Sequence, residues 1–174
     1  MSYTILPEIF GCDEFINADE IARGISPLNP EKAGIRAGRL MLGRIKELVS
    51  LGESFAFETT LSTKSYHGFL KQAMEQGYDT TLLFLALDSI DLAIGRVQTR
   101  VREGGHNIPI QTIRRRYSHG LLNFFKIYKT IVNRWILVDN STENFEFIAE
   151  GSGYDVVIRS ESKWSQLNEK YNGN

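Results

Sequence analysis

The sequence predicts an α/β fold built on a mostly parallel sheet, and three observations carry that expectation. Short apolar stretches at Phe15-Ile16-Asn17, Phe55-Ala56-Phe57, Thr80 to Leu87 and Trp135 to Val138 alternate with helix-length segments. Those segments repeat their apolar residues every three or four positions, as one buried helical face requires. The strands also end in polar groups, Asp19, Glu58 and Asp139 among them, where open α/β sheets bind ligands beyond their carboxyl ends.

Size and composition narrow the function. A chain of 174 residues is expected to form a single domain over 1–174, large enough to bury a sizeable core. Twenty basic and 21 acidic side chains leave a formal net charge of -1, so bulk charge makes no case for nucleic acid or an anionic membrane. Cys12 is the single cysteine; no intrachain disulfide can form, and Asp13 and Glu14 beside it disfavour a reactive thiolate. No apolar run is long enough to span a bilayer, and a soluble cytoplasmic protein is expected.

In chain order, Met1 to Phe10 resembles the tail of a helix ended by Gly11. After the Phe15 strand, Asp19 is either a polar group at the strand end or the cap of a short helix over Glu20 to Arg23. Asn29-Pro30 is a cap followed by a first helical position, and the helix runs to about Ser50 with Gly52 beyond it. Ala37, Met41, Ile45 and Leu48 form its buried stripe; Arg36, Arg39 and Arg44 lie off it, toward solvent. The Phe55 strand delivers Glu58, Thr59 and Thr60, either as a ligand-facing strand end or as ordinary turn residues. Ser62 or Thr63 then caps a helix burying Phe69, Leu70 and Ala73 and ended by Gly77, with Lys64 and His67 in its first turns.

Thr80 to Leu87 is almost wholly apolar, as expected of an interior strand covered on both faces. Asp88 or Ser89 caps the next helix, which has Asp91 in its first turn and Arg96 and Arg100 on one face. Gly104-Gly105-His106-Asn107 is a flexible break, and Pro109 restarts a helix striped by Ile113, Tyr117, Leu121, Phe124, Tyr128 and Ile131. Arg114, Arg115 and Arg116 fan out by about 100° each, so they cannot share one target. The strand at Trp135 ends in Asp139-Asn140-Ser141; Phe145 to Ala149 and Tyr154 to Ile158 form a terminal hairpin, and 160–174 is expected to be a frayed tail. Two arginine-bearing helices joined by a glycine hinge make a hairpin whose guanidinium forks suit phosphate oxygens. A strand-end carboxylate facing it is what phosphoryl transfer needs to orient an attacking hydroxyl, and surface arginines with ordinary strand ends are the bland alternative.

Several motifs in register are similar to those of the zeta-toxin family, in its stand-alone bacterial P-loop kinase branch. They are Phe15 to Ala22 (FINADEIA), Phe57 to Ser62 (FETTLS), Gly104-Gly105-His106 with Ile108-Pro109, and Ile113 to Tyr117 (IRRRY), and the resemblance spans Phe15 to Gly151. It implies a nucleotide-kinase-like parallel sheet with flanking helices and a helical arginine lid, with transfer of the ATP γ-phosphate, assisted by Mg²⁺, to a small-molecule hydroxyl. In zeta toxins that hydroxyl belongs to a UDP-linked amino sugar. By resemblance, Asp19 is the base, Glu58, Thr59 and Thr60 hold the substrate, and Arg96, Arg100 and Arg115 are lid arginines acting in catalysis. Arg114, Arg116, Asn140 and Ser141 would face the nucleotide. No protein side chain is expected to bind metal directly. An antitoxin-like protein partner is also implied. Where some members carry an arginine after the paired threonines, this chain has Leu61-Ser62.

The front of the chain departs from that pattern. The family opens with a strand, a Gly-x-x-x-x-Gly-Lys-Ser/Thr loop and a helix, a unit of roughly 25 or more residues. Only Met1 to Glu14 precede the Phe15 strand, with Gly11 the sole glycine and no lysine, so the fold is expected to lack its first strand and phosphate loop. Ser2 to Phe10 then correspond to the remains of the helix after the loop, which suggests a truncated frame or a start placed too late. The Phe55 and Thr80 strands must in that case pair directly or leave buried amides unsatisfied. The expectation is an inactive, zeta-toxin-like kinase domain that binds ATP weakly; the alternative is a non-catalytic binding module.

Overall fold

The computed structural model describes residues 12–105, 107–153 and 155–173. The expected helix tail at Met1 to Phe10 lies outside them. The chain groups into two compact units, the first reaching Thr59 and the second running from Thr60.

In the first unit, β1 (Glu14–Ile16) and β2 (Phe55–Phe57) form a parallel pair, with Ile16 opposite Phe57. Helix α1 (Ala18–Ile25) is capped by Asn17, whose side chain accepts from the amides of Asp19 and Glu20. Asp19 therefore sits in the first turn, where a carboxylate favours the helix dipole, and is not the cap. Helix α2 (Pro30–Leu51) starts at Pro30 and ends at Gly52, whose φ of 71° suits a residue without Cβ. Its stripe of Ala37, Met41, Ile45 and Leu48 is buried as the 3.6-residue period requires, and Ala22 of α1 packs with Ala33 and Ala37. Arg36 and Arg39 are exposed, but Arg44 pairs with Glu14 on β1 and Glu47 on its own helix.

In the second unit, α3 (Tyr66–Glu75) begins after Ser65, later than the expected cap at Ser62 or Thr63, and closes at Gly77, which has φ 90°. Strand β3 (Thr81–Ala86) pairs in parallel with β4 (Arg134–Asp139). β4 pairs antiparallel with β5 (Glu146–Ser152), and β5 with β6 (Asp155–Ile158). Helices α4 (Ile90–Arg102) and α5 (Ile110–Lys126) flank this sheet in sequence between β3 and β4. The Ser89 hydroxyl caps α4 by accepting from the amide of Leu92. The long stripe expected through Ile131 is broken at Ile127, where a 3-10 turn over Tyr128–Thr130 takes over.

The fold is α/β, with parallel strand pairs and flanking helices, and two of the expectations need correcting. Thr80 to Leu87 is not covered on both faces, since only Ala86 of β3 is buried and Leu85 keeps 43% of its surface. Among the described residues β3 has a ladder with β4 alone. The expected frayed tail is instead a twelve-residue helix, α6 (Glu161–Asn172). Trp164 and Tyr171 lie seven positions apart on one face, and both are buried with Trp135, Phe124 and Phe125 in the core of this unit. Trp164 stacks on Trp135 at 5.7 Å and 8°. Burial of two large aromatics stabilises the helix far more than its polar composition suggests.

Candidate functional site

The first unit places its acidic groups at one end of the β1–β2 pair. Because the strands are parallel and Ile16 faces Phe57, the next residues, Asn17 and Glu58, leave the sheet side by side. The amide of Glu58 donates to the Ile16 carbonyl at 3.1 Å, and the Asn17 side-chain amide donates to the Glu58 carboxylate at 2.9 Å. The other end of the same Asn17 side chain accepts from the Asp19 amide at 2.8 Å. One asparagine thus fixes the start of α1 and the direction of Glu58, and both carboxylates, Asp19 and Glu58, remain exposed. Asn17 was missed as a site residue, although its place between a strand and a helix start was a capping signal.

The second unit holds Thr60, the arginines and the polar end of β4. Thr60 shares a hydrogen bond with Ser62, and Leu61 between them has φ 56°, a left-handed conformation that is costly without glycine. Three contacts hold that loop. The Asn123 side chain donates to the Leu61 carbonyl at 2.9 Å, the Tyr128 hydroxyl to the Thr63 carbonyl at 2.7 Å, and Gly120 leaves room for the Thr60 carbonyl. A Cβ at Gly120 would lie 2.9 Å from that oxygen.

At the carboxyl ends of β3 and β4 the chain is stitched together. The Asn140 amide donates to the Ala86 carbonyl at 2.8 Å and the Asp88 amide to the Ser141 hydroxyl at 2.8 Å. The Arg96 guanidinium donates to the carbonyls of Asn140, at 2.6 Å, and Ser141, at 3.3 Å. Arg96, Asn140 and Ser141 are therefore brought together, with Arg96 bracing the β4 loop. Tyr117 donates to the Leu87 carbonyl at 2.9 Å, and burial pushes its phenol up to about 12, so it stays a donor. Asp139 is buried; it accepts from the Ser141 amide and hydroxyl and from Lys163 on α6, which also pairs with Glu146 at 2.8 Å. Burial opposes the Asp139 charge, but Lys163 and Ser141 outweigh it and hold the carboxyl below its usual range. Hydrogen bonds to Asp139 and Glu146 raise the Lys163 ammonium above its own.

Arg100 has a different setting. Its Nε and one Nη are shielded from solvent and have no hydrogen-bond partner. The Gly105 amide closes back on the Arg100 carbonyl at 2.8 Å, and a Cβ at Gly105 would meet Arg100 Cγ at 2.7 Å. Gly104, with φ 89°, allows this close wrap. An open cleft of about 470 Å³ is lined by Gln98, Val101, Arg102 and Asn107. Arg114, Arg115 and Arg116 are all exposed on α5, spread around the helix as their consecutive positions dictate. Among the described residues no cluster of three or more His, Cys, Asp or Glu is arranged to hold a metal ion. No described helix is long and apolar enough to cross a membrane.

No protein-family model matches the chain. An uncharacterised protein of Haemophilus influenzae is 33% identical over 102 residues, a match covering 59% of this chain and 73% of that protein. The chain belongs to the family of that protein. In fold, it resembles a solved chain from the PezAT chromosomal toxin-antitoxin system of Streptococcus pneumoniae. The TM-score is 0.64 at 17% identity, and the match covers 99% of this chain and 72% of that one.

Proposed function

We propose that the chain carries the acceptor side and the arginine side of a zeta-toxin-like phosphotransferase that moves the γ-phosphate of ATP to a hydroxyl of a small molecule, a UDP-amino sugar in the closest chemical analogy. The observation that supports this reading is the Asn17 side chain, which donates to the Glu58 carboxylate and accepts from the Asp19 backbone amide beyond the carboxyl ends of adjacent parallel strands. In the reaction, the acceptor oxygen bonds to the γ-phosphorus while its proton passes to Asp19 and the bond to the ADP oxygen breaks. Glu58, with Thr59 and Thr60, accepts or donates to the acceptor's other polar groups.

Arg100 and Arg115 neutralise the charge that spreads over the phosphoryl oxygens; the unpartnered nitrogens of Arg100 suit an anionic partner. Arg96 serves as a positioning residue for Asn140 and Ser141, with Arg114 and Arg116 nearer the nucleotide. Cytoplasmic residence follows from the same chemistry, since ATP is the donor.

The 174 residues contain no Gly-x-x-x-x-Gly-Lys-Ser/Thr sequence, so this stretch alone lacks the amide nest and lysine that grip β- and γ-phosphates. Titrating it with ATP and Mg²⁺ in a calorimeter is expected to give no heat of binding. A dissociation constant in the low micromolar range would overturn the view that the arginines do not hold nucleotide by themselves. A second reading, a non-catalytic module that binds an antitoxin-like protein, draws on the origin of the structural neighbour in a toxin-antitoxin system. It is separated from the first by a stable complex that forms without nucleotide and survives Asp19→Asn.

A further inference from the structure

We propose that β6 is a self-complementary edge that pairs antiparallel with β6 of a second copy of this chain, joining two β3–β6 sheets into one. The inference concerns β6 alone and does not rest on the phosphotransfer reading. Strand β6 lies last in the sheet order, with a ladder to β5 on one side only among the described residues. Val156, Val157 and Ile158 keep 42, 48 and 37% of their surface, so both faces of this edge are apolar and open. Soluble proteins normally guard such an edge with charge, proline or a cover. Here the charges stand only at its ends, Asp155 before the apolar triplet and Arg159 after it.

The register follows from where the backbone groups point. Glu150 pairs with Val157, and the amide of Arg159 donates inward to the Ile148 carbonyl at 2.9 Å. With the two-residue period of a strand, Val157 and Arg159 direct their backbone groups to β5, and Val156 and Ile158 direct theirs outward. Two copies related by a two-fold axis must match outward residues with outward residues. An axis through Val157 does so by setting Val156 opposite Ile158 of the second copy, and forms about four ladder hydrogen bonds. The same axis sets Asp155 opposite Arg159 of the second copy, twice over.

That charge match answers an imbalance within one copy. Arg134 and Arg159 both pair with the single carboxylate of Glu150, at 2.8 and 2.9 Å, and Asp155 has no ion pair among the described residues. The second copy's Asp155 supplies the missing carboxylate to this cluster on one face of the sheet. On the other face Val156 and Ile158 lie opposite Gly151 and Ala149, beside the Trp135 ring, so their counterparts extend an apolar layer already present. A shift of the axis by one residue in either direction loses the Asp155–Arg159 match.

Sedimentation of the full chain from low to high micromolar concentration is expected to show a monomer–dimer equilibrium. Val157→Lys puts two like charges face to face on the axis and is expected to weaken the dimer roughly tenfold or more. Asp155→Lys, which leaves the apolar triplet intact, is expected to weaken it in the same direction, and circular dichroism checks that both variants fold. In a Cys12→Ser background, Val157→Cys is expected to crosslink to itself on oxidation. Ile158→Cys is not, because its copies stand two residues out of register, beyond the roughly 7 Å reach of a disulfide. A monomer at all concentrations, a dimer indifferent to Val157→Lys and Asp155→Lys, or equal crosslinking at both cysteine positions would overturn the proposal.

Discussion

Replacing Trp135 with alanine is expected to lower the unfolding free energy of the second unit by about 3–5 kcal/mol, the range for deleting a buried tryptophan. Only 1% of this residue is exposed, and its ring touches two helices and a neighbouring strand. Its ring lies edge-on to Phe124 of α5 at 5.6 Å, stacks on Trp164 of α6, and crosses Gly151 of β5 so closely that a Cβ there would sit 2.5 Å from the ring. Alanine leaves a hole bounded by a helix on the same chain, a second helix and a strand, none of which can collapse independently. Total stability of a domain is about 5–15 kcal/mol, so the variant should be partly unfolded at moderate denaturant. Phe147→Ala is the matched control: Phe147 is 55% exposed, and its loss should shift the urea midpoint little.

The next largest effect is expected from Lys163→Met, at about 2–3 kcal/mol. Removing one partner of a fully buried ion pair costs about 3–5 kcal/mol, because the other charge is left without compensation. The figure here is smaller since Lys163 keeps about a third of its side-chain surface and Ser141 continues to donate twice to Asp139. Adding Asp139→Asn to Lys163→Met should recover part of the loss, because it removes the stranded charge. The same pair sets a pH dependence.

Asp139 has its carboxyl lowered on folding, so its contribution is present above the unfolded value near 3.9 and fades as pH falls through the folded one. Lys163 has its ammonium raised, so its contribution is present below the unfolded value near 10.4 and fades as pH rises through the folded one. Wild-type stability measured by urea melts should therefore form a plateau between about pH 4 and 10. In Lys163→Met the folded Asp139 carboxyl loses the ammonium that lowers it while burial still raises it, so the acid limb should shrink or reverse, and a melt with the wild-type profile would contradict the assignment of this ion pair.

Much of the architecture was written in periodicity and capping. The α2 stripe, its proline start and its Gly52 stop use the strongest local signals a helix has, and Ser89 caps α4 for the same reason. The β5–β6 hairpin was equally plain from its two apolar runs and glycines. Helix α6 was not, because its composition is polar and only Trp164, Leu167 and Tyr171 mark the buried face; the tertiary packing of two aromatics overrode a weak propensity. The one-sided pairing of β3 could not be read from its apolar run, since a buried strand and an edge strand with one packed face have the same composition.

The candidate site was legible where strand ends decide it. Glu58 follows directly from the β2 register, and Asp19 from the helix start beyond β1. Asn17, which bonds to the Glu58 carboxylate and the Asp19 amide, carries a capping signal that its neighbour Asp19 shares. Lys163, Asn123 and Gly120 act across long stretches of sequence, from α6 to β4 and from α5 to the Thr60 loop, and no local pattern reports such contacts.

The acidic tip at Asn17, Asp19 and Glu58 is the part of the proposal on which the others depend, and amide chemical shifts test it most directly. Titration of the ¹⁵N-labelled chain with UDP-N-acetylglucosamine is expected to move the amides of Asn17, Asp19, Glu20, Glu58 and Thr59, and Asn17→Ala should abolish those changes while α2 stays folded. Shifts confined to other parts of the chain, or none at saturating sugar nucleotide, would contradict the account.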